Sequence, residues 1–231
     1  MPSAPWIMFQ SWQQQLFMHW QVPASVLRPL VPAQLEIDDF NGATYIGLTP
    51  FHLTGLRYRF LPPLPVGSDF PEVNLRTYVR FAGKPGVFFF SLDAASRLAV
   101  FAARATYHLP YYFAKMSISR QRENVEYRSR RVSARAELVM RYHPIGQSFT
   151  VPPGSLDHFL IERYALYVVS RRGNVLRGDI HHRPWRLRNA IADIERNTIP
   201  AAHGFETPAR RPLVHYSERQ DTVLWGLTAA D

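Results

Sequence analysis

The clearest alternation in the chain runs through Phe70–Phe81. Glu72, Asn74, Arg76 and Tyr78 fall at every second position, with Val73, Leu75, Thr77 and Val79 between them. Successive side chains of a β-strand point to opposite faces, so Val73–Phe81 is expected to be a strand with one apolar face. Its other face carries a carboxylate, an amide, a guanidinium and a phenol, and it is either a solvent face or a pocket wall. Gly83–Gly86 reads as a turn and Val87–Leu92 as a compact apolar strand, which makes a hairpin. The run Val87–Phe90 is apolar on both sides, as expected near a barrel centre, and this favours the pocket wall.

The same reading extends along the chain. Leu16–Val22 predicts a strand, and Pro23 opens a short helix stopped by Pro29 and Pro32. Leu35–Asp38 and Thr44–Thr49 predict strands around an Asn41-Gly42 hairpin turn, and Phe51–Arg59 extends that sheet. Leu61–Gly67 is a proline-rich loop. Asp93 is a candidate N-cap for an amphipathic helix over Ala94–Tyr107, where Leu98, Phe101, Ala102 and Ala105 share a side. Asp93 and Arg97 would support each other there at i, i+4.

Pro110 ends that helix, and Tyr111–Arg120 and Val125–Arg141 return to strand. Ser155 caps a second helix. Tyr164–Ser170 and Val175–His182 flank the turn Arg171–Asn174. Trp185–Asn197 fits a helix through Leu187, Ile191 and Ile194, and fits a strand by alternation. Leu213–Tyr216 and Thr222–Leu227 close the chain. Consecutive hairpins with two clear helices predict a mainly β (α+β) chain, an antiparallel barrel or sandwich.

Composition narrows the picture. The 231 residues suit one domain over residues 1–231, and 46% apolar against 19% charged residues supports a sizeable core. With no cysteine there is neither a disulfide frame nor a thiolate metal site. No apolar run is long enough to span a bilayer, and the first residues lack the charged region of a signal peptide. A cytoplasmic location away from membranes is expected. The net charge of +9 is carried almost wholly by arginine, with lysine only at Lys84 and Lys115. A basic surface makes a nucleic-acid partner conceivable, but the arginines are scattered, so that reading ranks last.

No P-loop, dinucleotide fingerprint, H-E-x-x-H or G-x-S-x-G motif occurs, and no cofactor is expected. His181 and His182 would face opposite ways on a strand, which argues against a shared metal. Glu72 and Arg76 lie within about 13 Å along a strand, so their side chains can converge on one ligand or pair with each other. Tyr111 and Tyr112 follow Pro110 and can donate hydrogen bonds into a cavity. On a regular strand Tyr111, Phe113 and Lys115 share a face. A desolvated Lys115 would be a nucleophile toward a carbonyl, whereas a lysine that reaches water would not. Lys84 lies in a turn and is expected to be solvated.

The order HWQVPASVLRPLVPAQLEIDDFNGATYIGLTPF, FPEVNLRTYVR, GVFFFSLDAASRLAVFAARATYHLPYY, PPGSLDHFLIERYALYV, GDIHHRPW and IERNTI resembles the DUF2071 (YqjF-like) family across about residues 10–228. That family looks like part of the acetoacetate decarboxylase-like superfamily. The resemblance implies a closed or conical, mostly antiparallel β-barrel with an internal cavity and a few packed helices. Acetoacetate decarboxylases form an imine on the first lysine of a Pro-Lys-Lys motif, and the similar context here is Pro110-Tyr111-Tyr112. Both lysine positions are tyrosine, which argues against imine decarboxylation. Glu72 resembles the glutamate of the decarboxylase pocket strand.

The leading expectation is a small-molecule-binding barrel for a carbonyl or carboxylate ligand. Arg76 would grip an anionic group, Asn74, Tyr111 and Tyr112 would orient polar atoms, and Glu72 or Lys115 would be the catalytic candidate. The alternatives are a non-imine lyase, hydratase or isomerase in the same cavity, or a nucleic-acid-binding domain. A homo-oligomer is compatible with all of these.

Overall fold

The apolar face and the polar face of the strand around Glu72 are both buried, and the topology explains why. A computed structural model describes the chain except for Met1, Leu64, Val66, Arg171 and Asp231. Its strands are β1 (Met8–Val22), β2 (Glu36–Ile37), β3 (Thr44–Tyr58), β4 (Phe70–Phe81), β5 (Lys84–Ala94), β6 (Tyr111–Gln121), β7 (Asn124–Arg131), β8 (Glu137–Phe149), β9 (Ala165–Val169), β10 (Val175–His182), β11 (Leu187–Asn197), β12 (Leu213–Leu224) and β13 (Thr228–Ala229). The helices are α1 (Ala24–Leu27), α2 (Arg97–Tyr107) and α3 (Leu156–Ile161). No helix among the described residues is long and apolar enough to cross a membrane.

All the strands join one 13-stranded sheet, which closes on itself twice. A larger ring runs β5-β6-β7-β8-β11-β12-β1-β3-β4 and returns to β5. A smaller ring runs β10-β9-β5-β4-β3-β1-β12 and returns to β10. The strands β12, β1, β3, β4 and β5 are therefore a wall between two interiors. Leu16, Met18, Val73, Leu75 and Val79 pack into the larger ring with Tyr127 and Met140. Phe17, Tyr78, Val87 and Phe89 pack into the smaller one with Leu160 and Trp185. Most pairings are antiparallel, but β5 is parallel to both β6 and β9. A parallel neighbour needs a crossover, and α2 supplies it between β5 and β6.

Several elements differ from the sequence expectation. The helix begins at Arg97 with Ser96 as its cap, whose side chain accepts from the Ala99 N–H at 3.2 Å. Asp93 is instead a buried residue of β5. It accepts from Arg131 Nε at 2.9 Å across the larger ring, and Arg131 Nη2 lies 2.8 Å from the same carboxylate oxygen as an ion pair. Arg97 lies over the Phe113 ring and not against Asp93. The β4–β5 turn is the pair Ala82-Gly83, both at positive φ, so Lys84 opens β5 and donates to Asp179 at 2.6 Å.

Leu35–Asp38 shrinks to β2 and pairs with β4 through Glu36–Arg80 and Ile37–Val79, not with β3. Val125–Arg141 is split into β7 and β8. The alternating reading holds for β11, which pairs with β8. The two closing segments merge into the single strand β12. The expected loop at Leu61–Gly67 and turn at Arg171–Asn174 are described except for Leu64, Val66 and Arg171, which lie outside the described residues.

Candidate functional site

The smaller ring encloses a cavity of about 80 Å³. Its wall draws on each strand of that ring: Gln10, Trp12 and Gln15 from β1, Thr49 and Phe51 from β3, and Glu72, Asn74 and Arg76 from β4. Val87, Phe89 and Leu92 of β5 face them, with Leu166, Ile180, His182 and Leu224 completing the circuit. At one end α3 plugs the ring, because the Leu160 carbonyl accepts from Tyr78 Oη at 2.8 Å and from Arg76 Nη2 at 3.2 Å. Ser155 caps α3 by accepting from the His158 N–H at 3.2 Å.

Glu72 is 2% exposed and sits at the centre of the polar wall. Tyr111 Oη donates to its two carboxylate oxygens at 3.1 and 3.3 Å, and Asn74 also hydrogen-bonds the carboxyl. Burial pushes the Glu72 carboxyl up to about 8, and the nearby Asp93 adds to this, while the bonds from Asn74 and Tyr111 oppose it. Glu72 therefore holds its proton at neutral pH. Tyr111 is raised well above the usual phenol range, first by burial and then by Glu72. Its hydroxyl stays protonated and remains a donor.

Two guanidiniums meet the cavity, and they differ in partner. Arg163 is paired with the buried Asp38 at 2.7 Å and stacks over Phe159. Arg76 is half-buried, donates to the Leu160 carbonyl, hydrogen-bonds the Tyr78 hydroxyl, and forms no ion pair with a carboxylate among the described residues. Its Nε has no partner. Gln15 Oε1, Asn74 Oδ1 and Trp185 Nε1 are likewise buried and unpartnered, and all three residues line the cavity. Two unsatisfied donors and two unsatisfied acceptors thus converge on one small space. Buried polar atoms ordinarily find partners, so hydrogen-bonding capacity is left unused around this cavity.

The structure brings Glu72, Asn74, Arg76 and Tyr111 together. It separates Tyr112 and Lys115 from them. Tyr112 is turned to the other side of β6, where Arg131 lies over its ring at 4.1 Å. Lys115 is exposed, because beyond Tyr111 the strand leaves the cavity and its outward residues reach water. His182 lines the cavity and its ring stacks on Tyr164, whereas His181 does not line it. Trp12, Gln15 and Trp185 escaped the sequence reading. A β-bulge at Gln14, with φ of 52°, switches which residues of β1 face inward, so Gln10 and Trp12 share a face with Gln15 and Phe17. Trp185 arrives from the loop after β10 and carries no strand pattern at all.

The family model of DUF2071, described as an uncharacterized conserved protein, matches residues 9–221. The chain belongs to the DUF2071 family. This DUF2071 protein is 48% identical over 227 residues to the uncharacterized protein YqjF of Bacillus subtilis, covering 98% of this chain and 93% of YqjF. Among solved structures it is similar to the enduracididine biosynthesis enzyme MppR complexed with pyruvate, with a TM-score of 0.70 and 13% identity over 99% of this chain and 91% of that one. The acetoacetate decarboxylase of Legionella pneumophila matches with a TM-score of 0.66 and 10% identity, covering 100% of this chain and 92% of that chain. These likenesses establish an acetoacetate decarboxylase-like fold for the DUF2071 chain.

Proposed function

We propose that the smaller ring binds the head of a small carboxylate, such as a 2-oxo acid, without forming an imine. The observation that carries this reading is Arg76, a guanidinium in the cavity wall with no carboxylate paired to it among the described residues. A half-buried guanidinium with no anion beside it keeps unused donors, and a carboxylate guest would engage them through charge-assisted hydrogen bonds. Glu72 supports the same reading, since a protonated carboxyl donates to an anion where an ionised one would repel it. Size agrees: at about 10–15 Å³ per water-sized site, the cavity holds roughly five to eight such sites. That suits a guest of about that many heavy atoms. MppR, similar in fold, is complexed with pyruvate.

Imine chemistry has no amine at hand, because Lys84 is bound to Asp179 and Lys115 is exposed. Titration calorimetry with pyruvate tests the reading. The wild-type protein is expected to bind, and Arg76→Gln to bind about 10- to 100-fold more weakly while unfolding normally, the loss of one charged hydrogen-bonding partner. Equal affinity in the two proteins removes Arg76 from the site. Borohydride added with pyruvate is expected to leave the protein mass unchanged, and an adduct on Lys115 would restore the imine reading.

A second reading is supported by Glu72 alone. A carboxyl raised to about 8 beside a phenol is poised to give and take a proton near neutral pH. Acting on the carbon next to a carbonyl, it would make the protein an isomerase, hydratase or lyase. Exchange of the pyruvate methyl protons with deuterated solvent, lost in Glu72→Gln, is the expected signature.

A further inference from the structure

Beyond Tyr111 the cavity adjoins a second space of about 350 Å³ under α2. The two share Gln10, Leu109, Tyr111, Leu166 and Leu224 in their walls, so the phenol that holds Glu72 stands at their junction. Three neighbouring strands are graded in the same direction. On β4, Phe70 faces the outer chamber, Glu72 to Arg76 face the cavity, and Tyr78 meets α3. On β3, Leu53 and Leu56 face the chamber, while Phe51 and Thr49 face the cavity. On β1, Met8 lies in the chamber, Gln10 at the junction, and Trp12 and Gln15 in the cavity. The polar groups are concentrated at the plugged end, and the other end is mostly apolar.

The outer chamber is roofed by Leu98, Ala99 and Ala102 of α2. Its lining residues Leu61 and Leu98 are 58% and 52% exposed, so this end of the site borders solvent. Arg57 also borders it, but its guanidinium lies 3.9 Å over the Phe9 ring. Ordinary small-ligand sites span about 300–1,000 Å³. The inner cavity alone is well below that range, and with the chamber the site falls within it.

We propose that the ligand is a medium-chain aliphatic monocarboxylic acid, with its head at Arg76 and Glu72 and its chain in the chamber under α2. This rests on the head-group reading given above. A second polar group partway along the tail would leave water for the buried Leu53 and Phe70, so dicarboxylates are disfavoured.

Titration with straight-chain 2-oxo acids from pyruvate to 2-oxodecanoate tests it. In the wild-type protein each added methylene is expected to tighten binding about fourfold, until the chamber is filled. In Ala102→Phe the gain with chain length should vanish while pyruvate affinity is unchanged. Affinity that is flat or falls along the series in the wild type, with pyruvate still bound, overturns the tail and leaves the head-group reading intact. No binding at any length, or binding indifferent to Arg76→Gln, overturns the head-group reading itself. Should Ala102→Phe fail to fold, the wild-type chain-length series decides alone.

Discussion

Glu72 is a carboxyl walled off from water, and its proton couples the site to stability. Its ordinary value is 4.5, and in the folded protein burial lifts it to about 8. Between those values the folded state keeps a proton that the unfolded chain releases. Folding stability from this group is therefore full below 4.5 and is lost as pH rises toward 8. Glu72→Gln removes the titration and keeps the shape. The variant is expected to gain on the wild type by a few kcal/mol between about pH 5 and pH 8, at ~1.4 kcal/mol per pH unit. Urea denaturation at both pH values measures the gap, and a gap that does not change with pH contradicts a buried, protonated Glu72. The same ionisation reaches the ligand. Carboxylate affinity should fall between about pH 7 and pH 9 in the wild type and hold steady in Glu72→Gln.

At the scale of the element, β4 and β5 decide how the site is built. The alternation of Glu72, Asn74, Arg76 and Tyr78 was legible in the sequence because a strand's period is two whatever surrounds it. What lies against each face was not legible, since a polar face reads the same beside water or beside a cavity. The first half of β1 was missed for a related reason. Its glutamine-rich run carries no apolar alternation, and the bulge at Gln14 shifts the phase. Lys115 was placed on Tyr111's face by the same period. That holds only locally, because β6 pairs with β5 only over Tyr111–Phe113 and then leaves the cavity. On β5, Gly86 lets the strand close against β9. A Cβ there would stand 2.6 Å from the Tyr167 ring and 2.8 Å from the Ala165 carbonyl oxygen. Gly86→Ala is expected to cost about 1–3 kcal/mol in urea denaturation, as overpacking does, and to weaken carboxylate binding by loosening the smaller ring.

At the scale of the molecule, two rings share the wall β12-β1-β3-β4-β5, so loss of that wall exposes both interiors. Thermal unfolding followed by near-ultraviolet and far-ultraviolet circular dichroism is expected to give coincident midpoints. Separate midpoints would mean that the rings melt independently. The Asp93–Arg131 pair ties β5 to β7 across the larger ring, with both side chains almost wholly buried. Arg131→Met strands the Asp93 carboxylate and should cost about 3–5 kcal/mol in the same measurement. Much of the outer positive charge is met locally, as Arg128 and Arg141 both reach Glu126 and Arg188 reaches Glu123.

The amino-acid order by itself determined the mainly β character, the β4–β5 and β9–β10 hairpins and the Ser155 cap of α3. These follow from short-range steric and periodic rules that act within a few residues. Only the tertiary structure decided that the Glu72 face is a cavity wall, that Tyr111 joins it while Tyr112 and Lys115 do not, and that Arg76 has no carboxylate paired to it among the described residues. Those outcomes depend on which strands close the sheet into rings, a matter of contacts between residues far apart in the chain. Burial and electrostatic pairing arise only once those contacts exist.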